Sequence, residues 1–167
     1  PELAISENAE LFVRGLTVIN QLTLGKTYVC TRDDSRVPGS DIPDVEFKQF
    51  NGPHPAGLAG THIHLVDPVN ENKTVWQIGY QDVIAIGHLF TTGQLMTERV
   101  VAIGGPRTSS PGLYKVRLGA CLDDCIPAAA PELDNSRVVS GSVLSGRASE
   151  PSKNYLGRFH NQISILE

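Results

Sequence analysis

No run of lysine or arginine occurs in the chain, and its 14 basic residues are outnumbered by 18 acidic ones, for a net charge of −4. Nucleic-acid binding depends on clustered positive charge, so that function class finds no support. Long apolar runs are missing too. The stretches at 83–86 and 100–103 are typical, whereas a membrane-spanning helix needs about 20 largely apolar residues. The chain itself therefore crosses no bilayer, although it could rest on a membrane protein. Only three cysteines occur, Cys30, Cys121 and Cys125. Their odd number and irregular spacing suggest no disulfide framework and point to a reducing, cytosolic setting. An initiator methionine and a signal-peptide pattern are absent ahead of Pro1, which is read as a fragment of a longer polypeptide. No nucleophile-plus-base, phosphate loop or metal quartet stands out, which argues for one part of a larger machine.

What is present describes a folded protein: 40% of the residues are hydrophobic and 19% charged. Sixteen glycines and eleven prolines imply plentiful turns. A length of 167 residues allows one ordinary domain or two small ones.

Along the chain, Ala9, Phe12, Val13, Leu16 and Ile19 share a helical face, which predicts a helix over 7–24 with Ser6 as N-cap and Gly25 beyond its end. Gly15 inside it costs about 1 kcal/mol relative to alanine, which implies a close approach there. Strands are expected at 26–31 and 45–50, separated by a polar loop, and a helix preceding such strands suggests an α/β layer. Residues 55–67 read as a strand or as a helix, and the helix is preferred. In a helix His62 and His64 lie about 200° apart. An extended segment at 74–78 precedes a helix over 80–92, with Val83, Ile86 and Phe90 as its stripe and Gly93 as its stop. Gly87 in that helix would let another backbone approach closely. From Thr97 onward the pattern is strand, strand, short helix at 120–126 stopped by Pro127, then strands at 137–146 and 161–166. The predicted class is α/β: a Rossmann-like α/β domain over 1–96, then a small α+β module of β-grasp type over 97–167.

Five segments now become informative together: GPHPAGLAGTHIH (52–64), IGYQDVIAIGHLFTTG (78–93), ERVVAIGGP (98–106), RVVSGSVLSG (137–146) and YLGRFHNQISIL (155–166). In this order they closely resemble the A subunit of the Na⁺-translocating NADH:quinone reductase, a bacterial respiratory pump, over essentially the whole chain. The resemblance implies kinship with the flavin-carrying subunit of respiratory complex I and the C subunit of Rnf complexes, which share a Rossmann-like layer followed by a soluble-ligand-binding β-grasp domain. It also implies further N- and C-terminal regions, a peripheral place on the cytoplasmic face of the bacterial inner membrane, and partners among the other subunits, especially a membrane subunit.

Departures from those relatives shape the expected chemistry. A flavin or NADH phosphate needs clustered backbone N–H groups, yet no G-x-G-x-x-G occurs and the glycine-rich stretch 52–60 is interrupted by Pro53 and Pro55. An iron–sulfur cluster needs four cysteine ligands and only three exist. The expectation is that this chain binds no cofactor, with FMN, FAD and iron–sulfur centres in other subunits, and that it has no catalytic residue of its own.

A quinone head requires an apolar slot and one or two donors to its carbonyl oxygens. With the family's implied link to ubiquinone, the residues to inspect are Gly57, Gly60, His62, His64 and Tyr80. The plainer alternative is that these glycines allow tight helix–sheet packing. His54, His62, His64 and Asp67 invite a metal reading, but their spacing matches no ligand pattern, and no metal site is expected. Cys121 and Cys125 stand four apart on a short helix, share a face, and read as ordinary reduced thiols beside Asp123 and Asp124. Trp76 is expected at an interface or under a sheet, and Arg147, Arg158 and His160 could face a partner. A free-standing binding module or a small metal-dependent hydrolase is the competing class.

Overall fold

The computed structural model describes residues 1–33, 35–126 and 135–167, arranged as two compact units, Pro1–Met96 and Thr97–Glu167. Both are mixed α/β.

The first unit opens with α1 (Glu2–Glu7) and α2 (Ala9–Ile19). The helix expected over 7–24 is α2, which starts later and ends earlier, and a separate helix, α1, precedes it. The break is at Asn8, whose backbone leaves the helical region (φ −131°, ψ 36°) and whose Nδ2 donates to Ala4 O at 2.9 Å. An asparagine competes with the helical ladder in this way because its short amide reaches nearby backbone. Ser6 lies inside α1 and donates to Leu3 O, so it caps nothing downstream. The chain leaves α2 through tightened turns, Gln21 N–H to Val18 O and Leu22 N–H to Ile19 O.

Strands β1 (Thr27–Thr31) and β2 (Val45–Gln49) pair in parallel, Thr27 opposite Val45 and Thr31 opposite Gln49. No helix links them among the described residues; the connection is loop and turn. Two helices follow, α3 (Ala59–Val66) and α4 (Tyr80–Thr92). Gly93 takes the left-handed conformation (φ 74°) that ends α4, as the sequence suggests. Phe12, Leu16, Val83 and Ile84 form the buried centre, with Ile5 beside them. Ile84 and Gly87 line the buried face of α4 with Val83, while Phe90 points outward. The buried stripe therefore differs from the one read from Ile86 and Phe90.

What brings α2 and α4 together is the pair of glycines. A Cβ on Gly15 would stand 2.0 Å from Val83 O, and one on Gly87 would stand 1.8 Å from Leu11 O. Only hydrogen at both positions permits this spacing, so the close approach expected at Gly15 and Gly87 is present.

In the second unit β3 (Glu98–Gly104), β4 (Gly112–Arg117), α5 (Leu122–Cys125), β5 (Arg137–Ser140), β6 (Arg147–Ala148) and β7 (Gln162–Leu166) follow in order. The sheet order is β4-β3-β7-β5-β6, with β3 and β7 parallel and the other neighbours antiparallel. First and last strands side by side at the centre, with a hairpin on each flank, is the β-grasp arrangement. Val101 and Ile103 alternate inward along β3 and meet Ile163, Ile165, Leu122, Ile126 and Leu156. Burial of each such aliphatic side chain contributes roughly 1.5–3 kcal/mol. The strand expected over 137–146 stops at Ser140, where Gly141 adopts φ +99° and the chain turns before the two-residue β6. The helix stop expected at Pro127 lies outside the described residues.

Candidate functional site

The stretch singled out by the sequence runs from the end of β2 through α3 to the start of α4. Turns build its entrance: Ala56 N–H donates to Pro53 O and Leu58 N–H to Pro55 O, both at 2.9 Å. The helix begins only after Leu58, which has extended backbone (φ −85°, ψ 139°). Helix is therefore the outcome at 59–66, and His62 and His64 point to different sides. His62 is half-buried. Its ring centroid lies 4.1 Å from that of Phe50, and its Nε2 meets Ala56 O at 2.7 Å. A carbonyl oxygen only accepts, so Nε2 is the donor in this contact. His64 is exposed. Asp67, at the end of α3, is paired with Lys73.

The five candidates have different surroundings. Tyr80 packs on the α2–α4 core, and its hydroxyl accepts from Gln81 Nε2 at 3.2 Å. A Cβ placed on Gly57 or Gly60 would meet nothing within 4 Å. Tight helix–sheet packing therefore does not explain these two glycines. The one groove to note in this unit, about 450 Å³, is lined by Ala9, Glu10, Val13, Arg14, Thr17 and Pro38 and includes none of the five. Among the described residues no three His, Cys, Asp or Glu side chains converge as metal ligands.

The stretch also exposes apolar side chains. No residue of α3 is buried, and Leu58, Leu65, Val69, Trp76 and Ile78 are all exposed, Trp76 to 85%. Residues 74–78 belong to no strand. Trp76 thus lies neither under a sheet nor in the core.

In the second unit Cys121 lies outside α5 as its N-cap, bridged to Tyr155, and accepts from Asn154 Nδ2 at 3.7 Å. Cys125 is buried in the sheet core. The two thiols therefore sit in different surroundings and not on one helical face. Burial, then Asp124, then Cys121 push the Cys125 thiol above its ordinary range. Burial alone raises Cys30.

Sequence reasoning misses a polar cluster beside this core. Ser140, fully buried, accepts from Gly157 N–H at 3.0 Å and lies 2.8 Å from His160 Nδ1. Ser164 donates to Gly141 O at 3.0 Å. Arg99, 5% exposed, donates to Arg158 O at 2.7 Å and to Asn161 Oδ1 at 3.3 Å. The available signal is the Ser-Gly-Ser and Ser-Gly spacing of 140–146, which marks a turn and not a continuing strand.

Comparison with known proteins gives these units a context. A family model described as the NqrA second alpha/beta domain matches residues 1–95, and one described as the NQRA C-terminal domain matches residues 100–150. The chain is 50% identical over 166 residues to the A subunit of the Na(+)-translocating NADH-quinone reductase of Marinomonas sp. (strain MWYL1), covering 99% of this chain and 37% of that protein. The same subunit of Saccharophagus degradans is 51% identical, with 99% of this chain and 37% of the relative covered. That of Neisseria gonorrhoeae (strain FA 1090) is also 51% identical, over 100% of this chain and 37% of the relative. The chain thus spans a little over a third of the length of the curated relatives it matches. With one family model covering more than half of its residues and the relatives aligned end to end along it, the chain belongs to the NqrA family.

Proposed function

We propose that the chain acts as a non-redox, central part of the NqrA subunit in a Na⁺-translocating NADH:quinone reductase. In this reading the parent complex oxidises NADH, reduces ubiquinone and exports Na⁺, and the 167-residue chain alone does none of these. It sits peripherally at the cytoplasmic face of the bacterial inner membrane and docks on other subunits, above all a membrane subunit. FMN, FAD and iron–sulfur centres belong to those partners. Three cysteines divided between two units, and a glycine-rich stretch interrupted by two prolines, support an electron-silent role.

The observation that carries the docking role is the exposed apolar set Leu58, Leu65, Val69, Trp76 and Ile78 within residues 58–78. Concentrated exposed apolar surface marks an interaction site, and tryptophan is among the residues that most often anchor interfaces. The test uses the full-length NqrA protein carrying Leu65→Ser and Trp76→Ser, expressed with the other subunits and captured through a tag on a membrane subunit. Two anchors worth about 1 kcal/mol or more each should reduce recovery of NqrA by about tenfold or more at limiting concentration. Recovery equal to wild type would reject the docking role.

Quinone contact is the finer part of the reading. In this reading His64 and Tyr80 are its donors, and Gly57 and Gly60 have no close neighbours to fill the space about them; His62 joins only if its bond to Ala56 O is exchanged. Saturable amide shifts at these residues on titration with a soluble quinone analogue would support it, and their absence at millimolar analogue would reject it.

A further inference from the structure

We propose that Ser140 and His160 form a proton-operated latch between two loops of the second unit, residues 141–146 and 157–160, closed while the imidazole is neutral and released when it is protonated. Ser140 closes the end of β5 and is fully buried. Its oxygen accepts from Gly157 N–H at 3.0 Å, so its own proton needs an acceptor, and His160 Nδ1 stands 2.8 Å away. In the closed latch the hydroxyl gives its one proton to Nδ1, and the neutral ring carries its hydrogen on Nε2. The ring is seated by glycines. A Cβ on Gly157 would lie 2.5 Å from Nδ1, and one on Gly141 would lie 3.2 Å from the ring carbons.

Protonation at Nδ1 turns the acceptor into a donor. The buried Ser140 proton then loses its partner, and an orphaned buried hydroxyl opposes the closed form. Of the charged groups placed around the pair, Arg147 opposes the charged ring as well. Arg147 on β6 donates to Tyr155 O at 2.7 Å, Arg99 on β3 holds Arg158 O, and Arg158 precedes His160 on its own loop. Burial first and Arg147 second hold His160 below its ordinary range. The closed latch therefore binds fewer protons than the open one, and acidification favours opening. The two loops carry Val143, Leu144 and Phe159, all exposed, so release rearranges an apolar surface while Leu156 stays in the core and the sheet remains intact.

The experiment is NMR on the full chain between pH 7.5 and pH 5.0. Ring ¹⁵N shifts should place the proton on Nε2 at neutral pH, with the midpoint below about 6.5, the ordinary histidine value. If the open form titrates at that ordinary value, its population at pH 5.5 rises by up to about tenfold over pH 7.5. After correction for intrinsic exchange, the Gly157 and His160 amides should show that rise, and those of Ile163 and Ile165 should not. His160→Asn keeps a short side-chain oxygen as acceptor and cannot titrate, so its loop amides should lose the pH response. Hydrogen on Nδ1, a midpoint at or above 6.5, an equal rise in the sheet, or an unchanged response in His160→Asn would each overturn the latch. The wild-type titration decides alone if that variant does not fold.

Discussion

Adding one methyl group where α2 crosses α4 should be among the most damaging small changes available to the first unit. In Gly15→Ala the new Cβ would fall 2.0 Å from Val83 O and 2.8 Å from Val83 C; in Gly87→Ala it would fall 1.8 Å from Leu11 O and 3.0 Å from Gly15 N. The atoms it meets are backbone atoms of a packed helix and cannot rotate aside. Carbon and oxygen need roughly 3.3 Å, so the helices must separate by more than 1 Å, and a gap of 0.5–1 Å already loses a quarter to a half of a contact's attraction. Phe12, Leu16, Val83 and Ile84 lie in that seam. Overpacking ordinarily costs about 1–3 kcal/mol, and an unyielding backbone places these sites near or above the top of that range. Alanine's helix propensity returns about 1 kcal/mol. The net is a loss of roughly 2 kcal/mol or more, equivalent to about 8 °C or more in Tm for a unit of this size. Urea and thermal unfolding followed by circular dichroism provide the measurement. Gly60→Ala in α3 is the control, because nothing lies within 4 Å of its Cβ position; it should be neutral or gain up to about 1 kcal/mol. Because one separation relieves both contacts, Gly15→Ala with Gly87→Ala should cost less than the sum of the singles. Neutral or stabilising single variants would refute the reasoning.

Two further outcomes follow from the charged and thiol groups. Glu46 is held between Lys26 and Lys48, which lower its carboxyl to about 2. A carboxylate with a depressed folded value stabilises above its unfolded value of about 4.3 and loses that contribution as pH falls toward 2. Acid unfolding of Glu46→Gln should therefore show a shallower pH dependence between about 4.5 and 2, and salt should diminish the difference because the group is exposed; identical acid curves would refute this. Burial disfavours the thiolate at Cys125 and Cys30. Alkylation at pH 8 followed by mass spectrometry should leave Cys125 unmodified in the folded chain and modify it fully in urea, whereas rapid labelling of folded protein would place it outside the core.

Elements whose signals are local can be read from the sequence, and those decided by a competing hydrogen bond cannot. Tyr80–Thr92 carries an apolar stripe and a terminal glycine, so both its existence and its end are legible. The β-grasp order is readable because β3, β5 and β7 contain alternating or continuous β-branched residues between turn-forming clusters. The break at Asn8 is not, because a polar residue in a good helical face gives no sign that its amide will reach Ala4 O. Likewise RVVSGSVLSG has strand composition beyond Ser140, and its end depends on Gly141 turning at φ +99° and on Ser140 bonding to a loop farther along the chain. Long-range polar partners leave no periodicity.

In the candidate stretch, composition and surroundings point in different directions. A stretch rich in glycine and histidine suggests pocket chemistry, yet Gly57 and Gly60 have open surroundings and one of its histidines spends Nε2 on Ala56 O. The glycines that serve close helix packing are Gly15 and Gly87, which the sequence marks by their place inside apolar helical faces and not by a glycine-rich composition. Composition therefore misleads about the first unit in a consistent direction: a glycine matters to its fold when an apolar helical face surrounds it, and not when other glycines and prolines do. By the same logic, the 52–79 stretch is only lightly constrained by the interior of its own unit, since α3 buries no residue. Surface that a fold does not need for its own core, yet fills with Leu58, Leu65, Trp76 and Ile78, is the observation on which the proposed docking rests, which is why the docking experiment bears on that proposal more directly than any search for a bound cofactor.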